Sequence, residues 1–216
     1  MVELLCKITR QRLLDSAGQV FAEKGFKAAT VREICGMAGA NVAAVNYHFG
    51  DKEKLYVAVM EHYFEQALRQ FPPDGGLSET APPEQRLRAF IRSFIWRLLG
   101  PGKPEWHGKM ILREMAKPTG IIGAFVEKAI RPQFLLLTSI LRQFLPKASD
   151  EQLRLSVQSI VGQCIFHRFS QPITAVLFPN QKYGTPEIEA AAEHIVRFSL
   201  AALKGLAAEY GGQSAG

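Results

Sequence analysis

Apolar side chains recur at intervals of three and four along almost the whole chain, the spacing that gathers them on one face of an α-helix, and no stretch alternates with the period of two that marks a half-buried strand. In residues 9–24 the repeating positions are Leu13, Leu14, Ala17, Val20 and Phe21; Thr9 can cap the start, and Gly25-Phe26 supplies a left-handed stop with an apolar follower. Thr30-Val31-Arg32-Glu33 fits a capping box opening a helix of about two turns, with Val31, Ile34 and Ala38 as its buried stripe. Gly39-Ala40 makes a turn, Asn41 is a good N-cap, and Val42 to Phe49 forms a second short helix ended by Gly50. Asp51 caps a longer helix from Lys52 to about Phe71.

Pro72-Pro73-Asp74-Gly75-Gly76 then breaks the chain, and a mobile linker is expected up to Pro82-Pro83. Residues 84–99 are strongly amphipathic and stop at Gly100-Pro101-Gly102. A shorter helix is expected near 105–116. Another runs from Thr119 to Leu145 with Pro132 inside it, which requires a kink or the meeting of two helices. Ser149-Asp150-Glu151-Gln152 is a second capping box, opening a helix to about Ser170; Pro172, Pro179 and Gly184 mark an irregular segment. Thr185-Pro186 reads as an N-cap followed by a first-turn proline, and the last helix, 186 to about 209, carries too broad an apolar face for a lone surface helix. A disordered tail is expected from Gly211 to Gly216.

Composition narrows the function classes. The chain has 216 residues, 47% of them apolar and 21% charged, so it can bury a substantial core and is not a low-complexity chain. No apolar run approaches bilayer length, and the N-terminal residues lack a basic region followed by an apolar stretch, so the expectation is a soluble, cytoplasmic protein without membrane contact. Cys6, Cys35 and Cys164 are too few and too far apart for a disulfide framework or a zinc knuckle. The net charge of +6 is spread along the chain: residues 1–56 hold eight basic and six acidic side chains, so charge alone marks no binding segment.

The pair of short capped helices around a glycine turn is more informative. It is the pattern of a helix-turn-helix, whose second helix enters the major groove of DNA. Its residues sharpen the match: Ala22-Glu23-Lys24-Gly25-Phe26, Thr30-Val31-Arg32-Glu33-Ile34, Ala38-Gly39-Ala40-Asn41-Val42 and Asn46-Tyr47-His48-Phe49-Gly50-Asp51-Lys52-Glu53-Lys54-Leu55. Over about residues 9–60 the chain resembles the N-terminal domain of the TetR family of bacterial transcriptional regulators, with a Tyr-His-Phe-x-x-Lys-x-x-Leu core specific to that family. The resemblance implies an all-α fold of about nine helices. A three-helix DNA-binding domain over residues 1–50 would be followed by a connecting helix over 51–71 and an all-helical ligand-binding and dimerisation domain over 72–216.

Within that frame Tyr47 and His48 can donate hydrogen bonds to phosphate oxygens, and Lys52 can add its ammonium to the free N–H groups of the helix start. Thr30 and Arg32 would touch neighbouring phosphates. Base reading would fall to Val42, Ala43, Ala44 and Asn46 in the first turns of the recognition helix, small side chains packing on thymine methyls and Asn46 pairing with adenine. Each has a structural alternative: a pure cap for Thr30, packing under the helix pair for Tyr47 and His48, a phosphate contact or solvation for Asn46. The family commonly has Tyr where this chain has Asn46.

The run Ser159-Ile160-Val161-Gly162-Gln163-Cys164-Ile165-Phe166-His167-Arg168 is similar to a segment of the subgroup with a CecR-like C-terminal domain. The resemblance implies a homodimer joined through the last two helices, acting on double-stranded operator DNA and released by a small effector. Apolar wall candidates for the effector are Phe90, Phe94, Trp106, Met110, Phe125, Phe134, Cys164 and Phe166, with Arg113, Gln163 and His167 as orienting polar groups; ordinary core packing is the alternative for each. No metal, cofactor or catalytic residue is expected, since phosphate-binding loops, nucleophile elbows and metal-spaced carboxylates are absent from the sequence. The expected function is a ligand-responsive repressor. The rivals are a non-inducible DNA-binding or protein-interaction protein on the same fold, and a small-molecule enzyme.

Overall fold

The computed structural model describes residues 2–102, 104–182 and 184–212, and among them the fold is all-α, with no β-strand. In chain order the helices are α1 (Val2–Ala28), α2 (Val31–Ala38), α3 (Val42–Phe49), α4 (Lys52–Gln70), α5 (Pro83–Leu99), α6 (Glu105–Ala116), the single turn α7 (Gly123–Phe125), α8 (Arg131–Phe144), α9 (Asp150–Phe169), α10 (Gln171–Leu177) and α11 (Thr185–Gly212), with a π-helical stretch, Val126–Ile130, between α7 and α8. No helix among the described residues is long and apolar enough to cross a membrane.

The chain divides into two compact units that do not follow sequence order. The first comprises Met1–Gln66 and Gly102–Ile130, the second Ala67–Pro101 and Arg131–Gly216. Each has its own core. In the first, Leu13, Leu14, Ala17 and Phe21 of α1 close on Ile34, Val45, Leu55 and Val59, and Met110 of α6 and Phe125 of α7 join the same cluster. In the second, Leu87, Ile91 and Ile95 of α5 are enclosed by Leu137 and Leu141 of α8, Val157 and Ile160 of α9, and Ile195 and Leu203 of α11. Burying each such side chain contributes about 1.5–3 kcal/mol, which outweighs the weak intrinsic preference of any one segment.

Several boundaries differ from the sequence expectation, each for a local reason. Helix α1 starts at Val2, not near residue 9, because nothing in Glu3 to Ile8 breaks a helix; the Thr9 hydroxyl donates to the Leu5 carbonyl at 2.9 Å, so Thr9 lies mid-helix and caps nothing. The region of Pro172 is not irregular throughout: Pro172 sits in the first turn of α10, where its missing N–H leaves no bond unmade. Thr185 is the first residue of α11, and the Glu187 carboxylate accepts from the Gly184 N–H at 3.0 Å. The kink required by Pro132 is taken up just before it by the π-helical stretch, which widens the turn where the proline ring would meet the preceding carbonyl. The 72–82 segment is a succession of turns, with the Asp74 carboxylate accepting from Gly76 N at 2.9 Å. Gly211 and Gly212 belong to α11, and the rest of the expected tail lies outside the described residues.

The second capping box forms in full: Ser149 accepts from Gln152 N and Gln152 accepts from Ser149 N. The first forms by half. Thr30 accepts from Glu33 N at 3.2 Å, but the Glu33 carboxylate pairs with Lys24 at 2.5 Å instead of returning to the cap.

Candidate functional site

The helix-turn-helix is α2, the turn Gly39 to Asn41, and α3. Gly39 adopts φ 59°, ψ 41°, which closes α2, and the Ala40 N–H returns to the Cys35 carbonyl at 2.9 Å. Asn41 then starts α3 by accepting from Ala43 N at 3.0 Å. Eight residues make α3 just over two turns, enough for two faces. Val45 and Phe49 point into the core of the first unit, while Val42, Ala43, Asn46 and Tyr47 share the exposed face.

That exposed face is unusual for a soluble helix. Val42 is 44% exposed and Tyr47 79%, so an apolar and an aromatic side chain stand in water beside a polar amide. Thr30 and Arg32, at the start of α2, are exposed as well. Ala44 departs from the expected base-reading set, since it is half-buried and packs against the core. His48 is half-buried, its ring edge-on to Tyr47 at 5.0 Å. Arg10 of α1 lies over the Phe49 ring at 5.3 Å, adding a cation near the end of α3.

Lys52, expected at a phosphate, is half-buried and turned toward the end of α1. Its ammonium donates to the carbonyls of Phe26 and Ala29, both at 3.0 Å, and sits 4.4 Å over the Phe26 ring. Upstream of these carbonyls Gly25, with a φ of 76°, breaks the α1 ladder and leaves the carbonyls before it to be satisfied. Arg113 of α6 takes those, donating to Ala22 O at 2.9 Å and Glu23 O at 2.8 Å, a cation at the negative end of the segment that Gly25 closes.

Arg113, read as a ligand-orienting group, makes these two bonds while lining a cavity of about 290 Å³ with Lys24, Lys27, Tyr56 and Lys117. Of the other effector candidates, Trp106, Met110 and Phe125 pack in or against the core of the first unit. Phe90 and Cys164 are fully inside the second core and Phe94 packs against it. Burial pushes the Cys164 thiol up to about 12, so it is a protonated core group rather than a reactive one. Phe134 is 36% and Phe166 65% exposed, and Gln163 donates to Ser159 O within α9. His167 is half-buried, and burial followed by the nearby His194 holds its basicity below the usual imidazole value.

Sequence reasoning missed the polar ties beneath the helix-turn-helix. Glu114 of α6, only 3% exposed, accepts from Tyr56 Oη at 2.7 Å, Thr119 N at 2.8 Å and Thr119 Oγ1 at 2.9 Å. The Tyr63 hydroxyl donates to the Asp15 carboxylate of α1, and the Tyr63 ring meets Trp106 edge-on at 4.8 Å. Trp106 in turn covers Gly18, where any β-carbon would overlap its six-membered ring. The available signal was a glycine at position 18 on the apolar side of an otherwise strong helix, which costs about 1 kcal/mol against alanine unless something packs there.

Comparison with known proteins agrees with this geometry. A family model described as "Bacterial regulatory proteins, tetR family" matches residues 13–59, and one described as "HTH-type transcriptional dual regulator CecR, C-terminal domain" matches residues 83–203. The HTH-type transcriptional dual regulator CecR of Shigella flexneri is 31% identical over 172 residues, covering 75% of this chain and 76% of its own length. The HTH-type transcriptional repressor NicS of Pseudomonas putida is 37% identical over 91 residues, 41% of this chain and 40% of its own. Among solved structures, a TetR-like transcriptional regulator from Rhodococcus sp. RHA1 aligns with a TM-score of 0.63 at 19% identity, covering 91% of this chain and 96% of that one. AibR, solved in complex with isovaleryl coenzyme A and operator DNA, aligns with a TM-score of 0.63 at 18% identity, covering 87% and 96%. These two likenesses concern the fold.

Proposed function

Since the chain belongs to the TetR family of DNA-binding transcriptional regulators, with a C-terminal domain of the CecR type, we propose that it is a ligand-responsive repressor that binds a palindromic operator as a homodimer. The observation that carries this reading is the outward face of α3, where Val42, Ala43, Asn46 and Tyr47 are exposed together on a helix anchored by Val45 and Phe49. A short, rigidly capped helix presenting an apolar, an amide and an aromatic side chain suits base edges in a major groove; thymine methyls would meet Val42 and Ala43, and an adenine edge would meet Asn46. Thr30, Arg32, Tyr47 and His48 supply phosphate contacts that set the docking register. Lys52 contributes indirectly, by holding the end of α1 against which α2 and α3 are placed.

The homodimer is proposed through α9 and α11. Leu155 is 50% exposed, Phe166 65% and Phe198 58%, large apolar side chains on the last two long helices, and a second copy would cover them. Two recognition helices about 34–36 Å apart then fit successive major grooves. Helix α4 starts one residue after the Gly50-Asp51 turn and ends at Gln70, so an effector that changes its tilt alters that spacing; operator affinity falls only as far as the effector prefers the altered state. Repression is the direction proposed here; the CecR relative is named a dual regulator, so the sign is tested separately below.

The test is a titration of the purified protein against DNA from upstream of its own gene at several salt concentrations. The expected result is binding preferred by about 10³-fold or more over random DNA, falling steeply with salt, and lost in a Tyr47→Ala, His48→Ala variant that keeps its fold. Weak binding without preference, unchanged in the variant, would refute the reading. A rise in expression from the bound promoter when the gene is deleted supports repression; a fall refutes that sign.

A further inference from the structure

The second unit contains a cavity of about 560 Å³ that includes none of the effector candidates read from the sequence. It lies between the end of α4 with the turns that follow, the outer side of α5, and the first turn of α11. Its volume is within the range of small-molecule sites, roughly 300–1,000 Å³. We propose that this cavity is the effector site and that it takes a flat, aromatic molecule carrying one negative charge; the inference rests on the regulator reading above and names the effector's chemistry and place.

The aromatic part follows from the wall. Phe71 and Trp96 lie with ring centroids 5.4 Å apart and planes inclined by 25°, a stacked pair that presents a ready-made aromatic surface. The stack is held from both sides: Ser93 Oγ donates to the Phe71 carbonyl at 2.7 Å, and Trp96 Nε1 donates to Glu189 at 2.8 Å. Leu77 and Ala89 extend the apolar surface, and Gly75, at φ 61°, lets the turn close on Ala89 where a β-carbon would come within 2.9 Å of the alanine methyl. Two immobilised rings lose little freedom when a third plane stacks on them, so the site is preorganised for a planar ligand.

The charge follows from counting donors against acceptors. Glu189, the carboxylate at the cavity, accepts from Arg92 Nε, Arg92 Nη2 and Trp96 Nε1 at 2.6–3.1 Å, and the Arg92 bonds hold it well below the usual carboxylate range. Oε1 takes three of these contacts and Oε2 one, and the paired Arg92 offsets its charge, so it offers little to a cationic ligand. Each guanidinium carries five N–H groups in a rigid fork. Arg92 spends Nε and Nη2 on Glu189, and Arg88 spends Nη1 on Glu193, which leaves both able to grip a ligand carboxylate. The position also explains response: Gln70 ends α4 and Phe71 follows it, so a ligand stacked on Phe71 fixes the end of the helix whose other end adjoins the recognition helix.

The experiment uses 1-naphthoate as a planar monoanion and 1-naphthamide as its neutral counterpart, titrated calorimetrically into the full-length protein, with specific DNA binding measured on the same preparation. Saturable binding of one naphthoate per chain, at least tenfold tighter than the amide, is expected. An R92Q variant should weaken naphthoate at least tenfold and R88Q several-fold; both side chains are partly exposed, and unchanged DNA affinity and circular dichroism verify that the variants are folded. A W96F variant, which keeps a ring but loses the Glu189 bond, should also weaken naphthoate. No saturation, equal binding of acid and amide, or unchanged binding in both arginine variants overturns the proposal. Specific DNA binding without naphthoate binding sinks this inference alone, whereas naphthoate binding without specific DNA recognition sinks the regulator reading and leaves the cavity standing.

Discussion

The two units bury similar kinds of apolar side chains and differ in which polar group crosses the interior, a carboxylate in one and a guanidinium in the other. In the first, buried Glu114 holds Tyr56 and Thr119 and half-buried Asp15 holds Tyr63, while exposed Arg113 and half-buried Lys52 take carbonyls before and after Gly25. In the second, Arg97, 7% exposed, donates to Gln133 Oε1 at 2.6 Å and Ser93 Oγ to Phe71 O at 2.7 Å, while charge pairs such as Arg92 with Glu189, Arg142 with Asp150 and Arg154 with Glu151 lie on the outside. A hydrophobic core tolerates small shifts of one helix over another, whereas a buried hydrogen bond does not, because its alternative is an unsatisfied group. The Glu114 and Asp15 bonds fix α6 on α4 and α4 on α1, under the surface proposed to read DNA.

The largest expected effect comes from cutting one of the interior ties. Glu114→Ala leaves the Tyr56 hydroxyl and the Thr119 N–H without their acceptor and should cost about 2–4 kcal/mol. In a chain of this size that lowers the thermal midpoint by roughly 5–15 °C. Removing an outer pair in the second unit by Arg154→Ala should cost no more than about 1 kcal/mol. Thermal unfolding of the two variants side by side is the check, and comparable losses would show that the contrast between interior and exterior polar groups is wrong.

A smaller effect tests whether α6 is locked by shape as well as by hydrogen bonds. Gly18→Ala would ordinarily stabilise a helix by up to about 1 kcal/mol, but here the added methyl occupies the space of the Trp106 ring. The ring must swing away from Tyr63, so a net loss of about 1–3 kcal/mol is expected, with a red shift of tryptophan emission as Trp106 enters water. A stabilised Gly18→Ala protein with unchanged emission would mean that Trp106 does not seat there in solution.

The same contrast explains what could be read from the sequence. The helix-turn-helix was legible because its information is local: Thr30, Gly39, Asn41 and Gly50 act on residues within four positions of themselves, and the structure uses each of them as a cap or turn. The ties beneath it were not legible, because Glu114 meets a tyrosine 58 positions away and Arg113 a carbonyl 91 away, and no local rule pairs them. Lys52 was read as a phosphate contact for the same reason; the carbonyls it serves in the structure, Phe26 O and Ala29 O, lie 26 and 23 positions upstream. In the second unit the heptad-like stripes gave α5, α8, α9 and α11 but not the cavity, since Phe71, Trp96 and Glu189 lie on three separate segments. Phe90 and Met110 were read as pocket walls and lie buried in the two cores, because periodicity shows that a side chain is buried but not what it faces.

The smallest expected effect concerns pH and belongs to the second unit. His167 of α9 is half-buried and near His194 of α11, and both burial and that neighbour disfavour its charged form, burial the more. A histidine whose folded value is depressed binds its proton more readily in the unfolded chain, so unfolding takes up protons and stability falls as pH falls. The loss starts as pH drops through the unfolded value near 6.5 and levels off once the pH is below the folded value. Above pH 7 the group is neutral in both states and contributes no slope. His167→Gln should flatten this part of the stability profile between about pH 7 and 5, and the ties of the first unit, which involve no histidine, should be indifferent to the change. Denaturant midpoints measured at several pH values with both proteins provide the check. A slope of the same size in the variant would assign the acid sensitivity to other groups, and a slope of opposite sign would show that His167 is favoured in its charged form by a contact formed in solution, such as one made across the proposed α9 and α11 interface.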